Sequence, residues 1–346
     1  MTTTRADAES LSKLDKKTYP EQINKIIETI TPQFYQIVRS YVTFNMLFLA
    51  AAVTEFVLLL FFFTFLVHSS ILAFTLAIIF LTLFSYFILR VYFLTRKPEQ
   101  FLDLRNRYMA TCQNLINYRE GIPDHHVTLA NACYLFAAAL QGKESYLYTP
   151  PHRFASFTPW LEKFSSWWHW HDFHRMKELL LQSSVNENIQ LVKCEPTNLE
   201  AHYALANAYV MLSGLYVDPR KIEGYEDDER WMPTKQFMEV MQQKFRATAE
   251  RAIEEFKILN DYAPNDPWVH AQLAYSYRDL QMPLEEIKEY ETILKLIPND
   301  KETLYKLGVL YFQQGMNAHG LRVYEELKET HYKKAESLIS HYGNAY

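Results

Sequence analysis

Three histidines and an aspartate lie close together in the sequence and have the side-chain types that bind divalent metals. His169, His171, Asp172 and His174 all fall within SSWWHWHDFHRM, residues 165–176. On a helix, His171 and His174 share a face because residues three apart are neighbours, but His169 does not join them. A structural zinc site takes four protein ligands and a catalytic site three. We therefore expect no metal site here, and no cofactor.

The same part of the chain is rich in tryptophan, and two interpretations of it stay open. Four of the six tryptophans fall here: Trp160, Trp167, Trp168 and Trp170. Tryptophan favours the boundary between bilayer and water, so these rings, with Phe164 and Phe173, would suit a face that rests on lipid headgroups. Alternatively, they pack against other helices of the same chain.

Two long apolar runs indicate a membrane anchor. Thr43–Val67 and Ile71–Leu94 each exceed the roughly 20 residues that cross a bilayer as a helix. Only His68–Ser70 separate them. Because backbone groups in lipid must be bonded within their own helix, we expect a helical hairpin that crosses the lipid bilayer twice.

Glu55 is a carboxylate 12 residues into the first run, close to the middle of the bilayer. Its insertion costs about 2.5–3.5 kcal/mol and makes it a candidate functional residue. In the second run, Thr82, Ser85 and Tyr86 share its depth. We expect a protonated Glu55 that hydrogen-bonds one of these hydroxyls and so locks the hairpin or a dimer; a role in proton or ion movement is the alternative.

Lysine and arginine placement predicts the orientation of the hairpin. The turn has none, whereas the flanks carry several: Lys25, Arg39, Arg90, Arg96, Lys97, Arg105 and Arg107. Positive flanks stay on the cytoplasmic side, so both termini should be cytoplasmic. The three cysteines form no C-x-x-C pair, as expected in a reducing compartment. Since no organelle address is present, a bacterial inner membrane is the expected location.

Charge and motifs argue against two classes of function. Residues 1–122 hold 12 Lys+Arg and 9 Asp+Glu, a net of +3, and the remainder holds 23 and 31, a net of −8. An acidic soluble part does not fit nucleic-acid binding, which needs a basic face. The sequence also lacks the phosphate-binding, nucleophile-elbow, dinucleotide and zinc-protease motifs. We therefore expect neither nucleic-acid binding nor an enzyme.

The soluble part repeats itself at a fixed interval. Residues 267–298 and 301–332 align with four matched pairs, all at the same offset: Leu273 with Leu307, Ala274 with Gly308, Tyr277 with Tyr311, and Tyr290 with Tyr324. Leu205, Ala206 and Tyr209 begin an earlier unit, and LANACY at 129–134 begins another. A constant period indicates stacked helical units that bury their faces against each other.

These residues resemble the tetratricopeptide repeat (TPR) family, whose helix–turn–helix unit of about 34 residues has the same period. Glu286 and Tyr332 depart from its pattern, and an insertion at about 215–242 contains the acidic segment 225–229. The resemblance implies units at about 123–196, 199–264, 267–300 and 301–334, with a capping helix at 335–342.

The expected fold is all-α: a two-helix transmembrane hairpin followed by a TPR-like α-solenoid with insertions. We expect a disordered tail at 1–17, an amphipathic helix at 18–41 and the hairpin at 43–95. A connecting helix at 99–122 and the solenoid at 123–346 follow. The amphipathic helix is predicted to begin at Thr18 and to be kinked by Pro32.

The resemblance further implies a concave groove that binds a protein or peptide. Its lining residues would be Asn131, Tyr134, Tyr203, Asn207, Trp268, Tyr275, Arg278, Tyr305 and Phe312. Val127 and Tyr203 stand where related proteins carry lysines that hold a C-terminal carboxylate, so capture of a chain end is not expected. A groove filled by the N-terminal helix is the alternative.

Two functions fit this layout. The first is a membrane-anchored protein–protein interaction scaffold whose groove faces the cytoplasm. The second is a non-catalytic subunit of an integral membrane assembly, joined through the hairpin and Glu55. A homo-oligomer formed through the hairpin is compatible with either.

Overall fold

The computed structural model describes residues 18–63, 71–148, 156–217 and 235–343, and this part of the chain is all-helical. It contains eleven α-helices and no strand, which confirms that this part of the chain is all-α. The solenoid arrangement stays a prediction. The helices are α1 (Thr18–Phe61), α2 (Ile71–Leu115), α3 (Pro123–Ala139), α4 (Thr158–Cys194), α5 (Leu199–Tyr216), α6 (Lys235–Tyr262), α7 (Pro267–Asp279), α8 (Pro283–Leu296), α9 (Lys301–Gln313), α10 (Asn317–Thr330) and α11 (Tyr332–Ile339).

The described residues form two compact units, whose boundary falls after Ser184 within α4. Three sequence predictions lie outside the described residues: the tail at 1–17, the turn at His68–Ser70 and the acidic segment at 225–229. A helix, α11, overlaps the segment 335–342 that was predicted to cap the solenoid; it begins at Tyr332 and ends at Ile339.

In the first unit, α1 and α2 form an antiparallel pair of long helices. Both are long and apolar enough to cross a membrane, and the most apolar stretch of each helix is not buried by the rest of the described chain. Most side chains there point outward, as the exposure of Phe56 and Phe80 illustrates. An apolar surface of this extent is a feature of helices surrounded by lipid.

Glu55 lies inside this pair and is bonded across it. Thr82 Oγ1 donates to Glu55 Oε1 at 2.7 Å, and the second carboxyl oxygen is buried without a partner among the described residues. Of the three predicted partners, Thr82 is thus the one that bonds Glu55. Tyr86 donates instead to Asn45 Oδ1 at 3.0 Å, and half-buried Ser85 has no bond to Glu55 among the described residues.

Each of these two helices is continuous where the sequence suggested separate elements. α1 runs without a break from the arm into the apolar run, with Pro32 inside it, and α2 passes from its apolar run through Pro98 to Leu115. The expected boundaries near residues 42 and 96 are therefore changes of environment within one helix. A buried stripe at helical spacing explains the continuity of α1: Ile23, Ile27, Ile30, Phe34, Val38 and Tyr41.

An aromatic cluster joins the soluble halves of α1 and α2 to α4. The ring of Phe34 lies 4.9 Å from that of Phe173 and 5.6 Å from that of Phe101. α3 packs beside them, and Tyr108 of α2 donates a hydrogen bond to the Ala132 carbonyl of α3 at 2.7 Å. Tyr19 donates to the Thr128 carbonyl at 3.2 Å and so ties the start of α1 to α3.

The second unit is a series of helix pairs. α5 packs against α6, α7 against α8, and α9 against α10, with α11 against the last pair. The start of α9 follows that of α7 by one repeat period, and the start of α10 follows that of α8 by the same interval. Small residues permit the close approach of paired helices: Ala206 and Ala274 are fully buried, and a Cβ on Gly308 would lie 2.7 Å from Leu338.

Candidate functional site

Three helices of the second unit, α5, α7 and α9, carry most of the predicted groove residues, and each begins with the same kind of cap. The side chains of Asn198, Asp266 and Asp300 accept hydrogen bonds from the backbone N–H two residues later, at 2.9, 2.9 and 3.1 Å. Such caps satisfy N–H groups that the first turn leaves unpaired. They fix where each helix begins and hence which face each later side chain occupies.

Tyr203 on α5 and Trp268 on α7 meet across neighbouring helices. Their ring centroids lie 4.9 Å apart at an interplanar angle of 63°, and both side chains remain exposed, at 42% and 38%. Edge-to-face pairs of this kind are stable arrangements of aromatic rings. The pair therefore presents a rigid aromatic surface to solvent.

Tyr275 on α7 lies within reach of two cations. The Arg278 guanidinium is 5.3 Å from its ring centroid, and Lys306 Nζ, from α9, is 5.4 Å from it. Distances below about 6 Å bring a cation and a ring into favourable contact. The Tyr275 ring thus contacts one cation from α7 and one from α9 at the same place.

Tyr305 on α9 also contacts a cation. Its hydroxyl lies 3.0 Å from Ser337 Oγ, and Lys334 Nζ lies 5.9 Å from its ring. Lys334 also forms an ion pair with Glu302. We call the side chains of Tyr203, Trp268, Tyr275, Arg278, Tyr305, Lys306 and Lys334 the aromatic–cationic row.

Phe312 was predicted to line the groove, and the structure places it in the core instead. Its side chain has no exposed surface. The reason is Gly320 on α10, which has no side chain: a Cβ there would lie 2.4 Å from the Phe312 ring, so the ring occupies that space. Asn207, by contrast, is half-buried on α5.

Asn131 and Tyr134, the remaining predicted groove residues, belong to the first unit. Both are exposed on α3, with Tyr134 at 39%. They offer one amide and one phenol on the outer face of that helix. An amide both donates and accepts hydrogen bonds, which suits contact with a peptide backbone.

The tryptophan-rich segment is the first half of α4, and the exposure of its rings changes along that helix. Trp160 and Trp167 are exposed, at 63% and 48%. Trp168 and Trp170 are half-buried, and Trp170 stacks on His174 with centroids 4.7 Å apart. Further along, Phe173 joins the aromatic cluster around Phe34. This segment of α4 is thus packed against α1 at Phe173 and exposes aromatic rings nearer its start.

A polar network in the first unit was missed from the sequence. Lys97 Nζ lies 2.6 Å from the Asp172 carboxylate, and the Tyr148 hydroxyl lies 2.9 Å from His169 Nε2. His169 is fully buried, and this burial lowers its pKa. His169 Nε2 shares its hydrogen bond with the Tyr148 hydroxyl, and Nδ1 faces Asp172 at 3.7 Å. Lys97 and Asp172 are far apart in sequence, and no local pattern connects them.

Two equivalent histidines, His202 and His270, each join the two helices of one pair in the second unit and were also missed. His202 Nδ1 lies 2.7 Å from Glu255, and its Nε2 lies 3.0 Å from the Pro196 carbonyl. His270 repeats this with Glu289 at 2.6 Å and the Pro264 carbonyl at 3.0 Å. The two histidines are separated by twice the repeat period, and so are the two prolines. That spacing is a signal that could have revealed them.

The His202 contacts predict a pH-dependent stability. Burial by itself lowers the pKa of His202, but its hydrogen bonds to Glu255 and the Pro196 carbonyl outweigh this and raise it above its ordinary value. The charged ring therefore stabilises the fold fully below about pH 6.5, and this contribution is lost as pH rises through the raised pKa. Glu255→Gln should cost about 1.5 kcal/mol at pH 6 and less at pH 8.

Thermal unfolding of the full-length chain in detergent from pH 5.5 to 8.5 measures this. The difference in melting temperature between wild type and Glu255→Gln should narrow as pH rises. Glu254→Gln is a matched control, since its carboxylate is exposed and pairs with Lys257. A difference that stays constant across the range would contradict the role of His202.

No protein-family model matches the chain, and no curated protein is significantly similar to it. The resemblance to tetratricopeptide repeats therefore stays a prediction.

Proposed function

We propose that this protein is a membrane-anchored protein–protein interaction scaffold, built from TPR-like repeats whose groove faces the cytoplasm. The observation that carries the proposal is the aromatic–cationic row. Aromatic side chains supply contact area at low cost in conformational entropy. They are also enriched, with arginine, among the residues that dominate binding energy.

The charge of the row suggests the kind of partner. Residues 123–346 carry a net charge of −8, yet Arg278, Lys306 and Lys334 are brought together on neighbouring helices. A cationic strip on an acidic domain favours a partner segment that carries carboxylates, and repels a basic one. We propose an acidic peptide or helix, recognised along its length rather than at its C-terminus.

The membrane part of the proposal rests on α1 and α2. Their length and apolarity suit two passes through a bacterial inner membrane, and the flanking lysines and arginines favour cytoplasmic termini. Anchoring confines the groove to the membrane surface, which raises the effective concentration of a partner that is also held there.

The exposed end of α4 supports the same placement. Phe173 of α4 contacts Phe34 of α1. One turn earlier in α4, His169 lies close enough to Arg39 and Lys97 for their charges to act on it. α4 therefore approaches the apolar runs as its residue numbers fall. Exposed Trp160 and Trp167 would then lie near the headgroups, where tryptophan is favoured.

Photo-crosslinking of the full-length protein in cells tests the scaffold. A photoreactive amino acid at Tyr203 should crosslink a partner, whereas the same amino acid at Tyr262, a more exposed tyrosine on α6, should not. Adding Arg278→Glu and Lys306→Glu should reduce the product at least roughly tenfold. Equal products at both positions, or no effect of charge reversal, would contradict the groove.

A third crosslinking position tests the alternative function. Phe56 is exposed on the apolar run of α1. A partner that crosslinks at Phe56 but not at Tyr203 would indicate a subunit of an integral membrane assembly instead of a scaffold.

A further inference from the structure

An open groove of about 610 Å³ lies along one face of α1, where the soluble arm enters the apolar run. Among its lining residues are Tyr35, Arg39, Ser40, Thr43, Phe44 and Leu47. The volume falls within the range of small-molecule sites, roughly 300–1,000 Å³. The groove belongs to the first unit and is separate from the aromatic–cationic row.

The lining changes in character along the helix. Arg39 supplies a cation, and Phe44 and Leu47 follow on the apolar side. The hydroxyls of Ser40 and Thr43 lie between them and donate to backbone carbonyls of α1. From Arg39 to Leu47 the helix rises about 12 Å. A ligand that fills the groove must therefore be polar and anionic at one end and apolar at the other.

Arg39 is held in place while keeping further donors. Its Nη2 donates to the Leu147 carbonyl, a bond that fixes the side chain against the segment before α4. A guanidinium has five N–H donors in a planar fork that matches a phosphate. One bond to a carbonyl therefore leaves capacity for a bound anion.

We propose that this groove binds one anionic phospholipid, with its phosphate on Arg39 and its upper acyl chain against Phe44 and Leu47. This rests on the membrane placement proposed above, which puts Arg39 at headgroup depth and Leu47 in the hydrocarbon. The lining favours an anionic lipid, because Arg39 is the only charged residue among the described residues that line the groove.

Native mass spectrometry of the full-length protein tests the site, with phosphatidylglycerol and phosphatidylcholine as probes. Wild type should retain one phosphatidylglycerol with a preference of roughly tenfold over phosphatidylcholine. Arg39→Gln removes the cation, and Ser40→Phe fills the groove without changing charge; both should lose the preference. Arg96→Gln removes a cation that does not line the groove, and should keep it.

Three results would overturn the site. The first is equal retention of both lipids by wild type, and the second is an unchanged preference for phosphatidylglycerol in Arg39→Gln or Ser40→Phe. The third is an equal loss of that preference in Arg96→Gln, which would indicate general attraction to anionic lipid. Flotation of wild type with liposomes is performed first, because it tests the membrane placement separately from the lipid site. A chain that does not float would contradict the proposed anchor itself.

Discussion

Replacing Phe312 with alanine lowers the free energy of unfolding by about 3–5 kcal/mol, the cost typical of removing a fully buried phenylalanine ring. The ring has no exposed surface and fills the space left by Gly320. For a unit of this size the melting temperature should fall by roughly 10 °C. Thermal unfolding of the full-length chain in detergent, with circular dichroism as the readout, measures it.

Tyr305→Ala is the matched control for this substitution. It removes an aromatic ring from the same helix, but the ring is only half-buried. We expect it to cost less than about 1.5 kcal/mol, and to reduce crosslinking to the partner instead. If Phe312→Ala weakened crosslinking while leaving the melting temperature unchanged, Phe312 would line the groove after all.

Asp172→Ala should strongly destabilise the first unit. It leaves the ammonium of Lys97 without its carboxylate, with 19% of the Lys97 side chain exposed. Breaking a fully buried pair costs about 3–5 kcal/mol, and we expect about 2–3 kcal/mol here because Lys97 still reaches solvent. The readout is the melting temperature of the full-length chain in detergent.

A double variant separates the pair from the packing around it. Lys97→Met with Asp172→Leu removes both charges together and keeps apolar volume, so it should be close to wild type. A double variant as unstable as Asp172→Ala would mean that Asp172 acts through other contacts, such as His169, and not through Lys97.

Periodicity accounts for the parts of the fold that the sequence predicts well. The matched positions of residues 267–332 recur at one constant period, and the helices from α7 to α10 begin at that interval. Likewise, the two apolar runs are recognisable from composition alone. Both signals are local, since each residue reports on its own helix face or on the solvent around it.

Features that depend on a partner on another helix escaped prediction. The position of Phe312 in a repeat suggested the groove, but the absent side chain at Gly320 decides where its ring goes. Lys97 and Asp172 meet through packing of α2 and α4, which no spacing encodes. Conversely, the composition change near residue 42 falls within one helix and marks no new element, because a helix continues wherever its backbone bonds are met.

The continuity of α1 has a mechanical consequence. Its 44 residues make a rod of about 66 Å, half of it soluble and half apolar, with no loop between the halves. Tyr19 fastens the far end to α3, and Glu55 fastens the apolar half to α2. A force that tilts the end held by Tyr19 is therefore transmitted along one continuous helix into the apolar half, so the two halves cannot move independently.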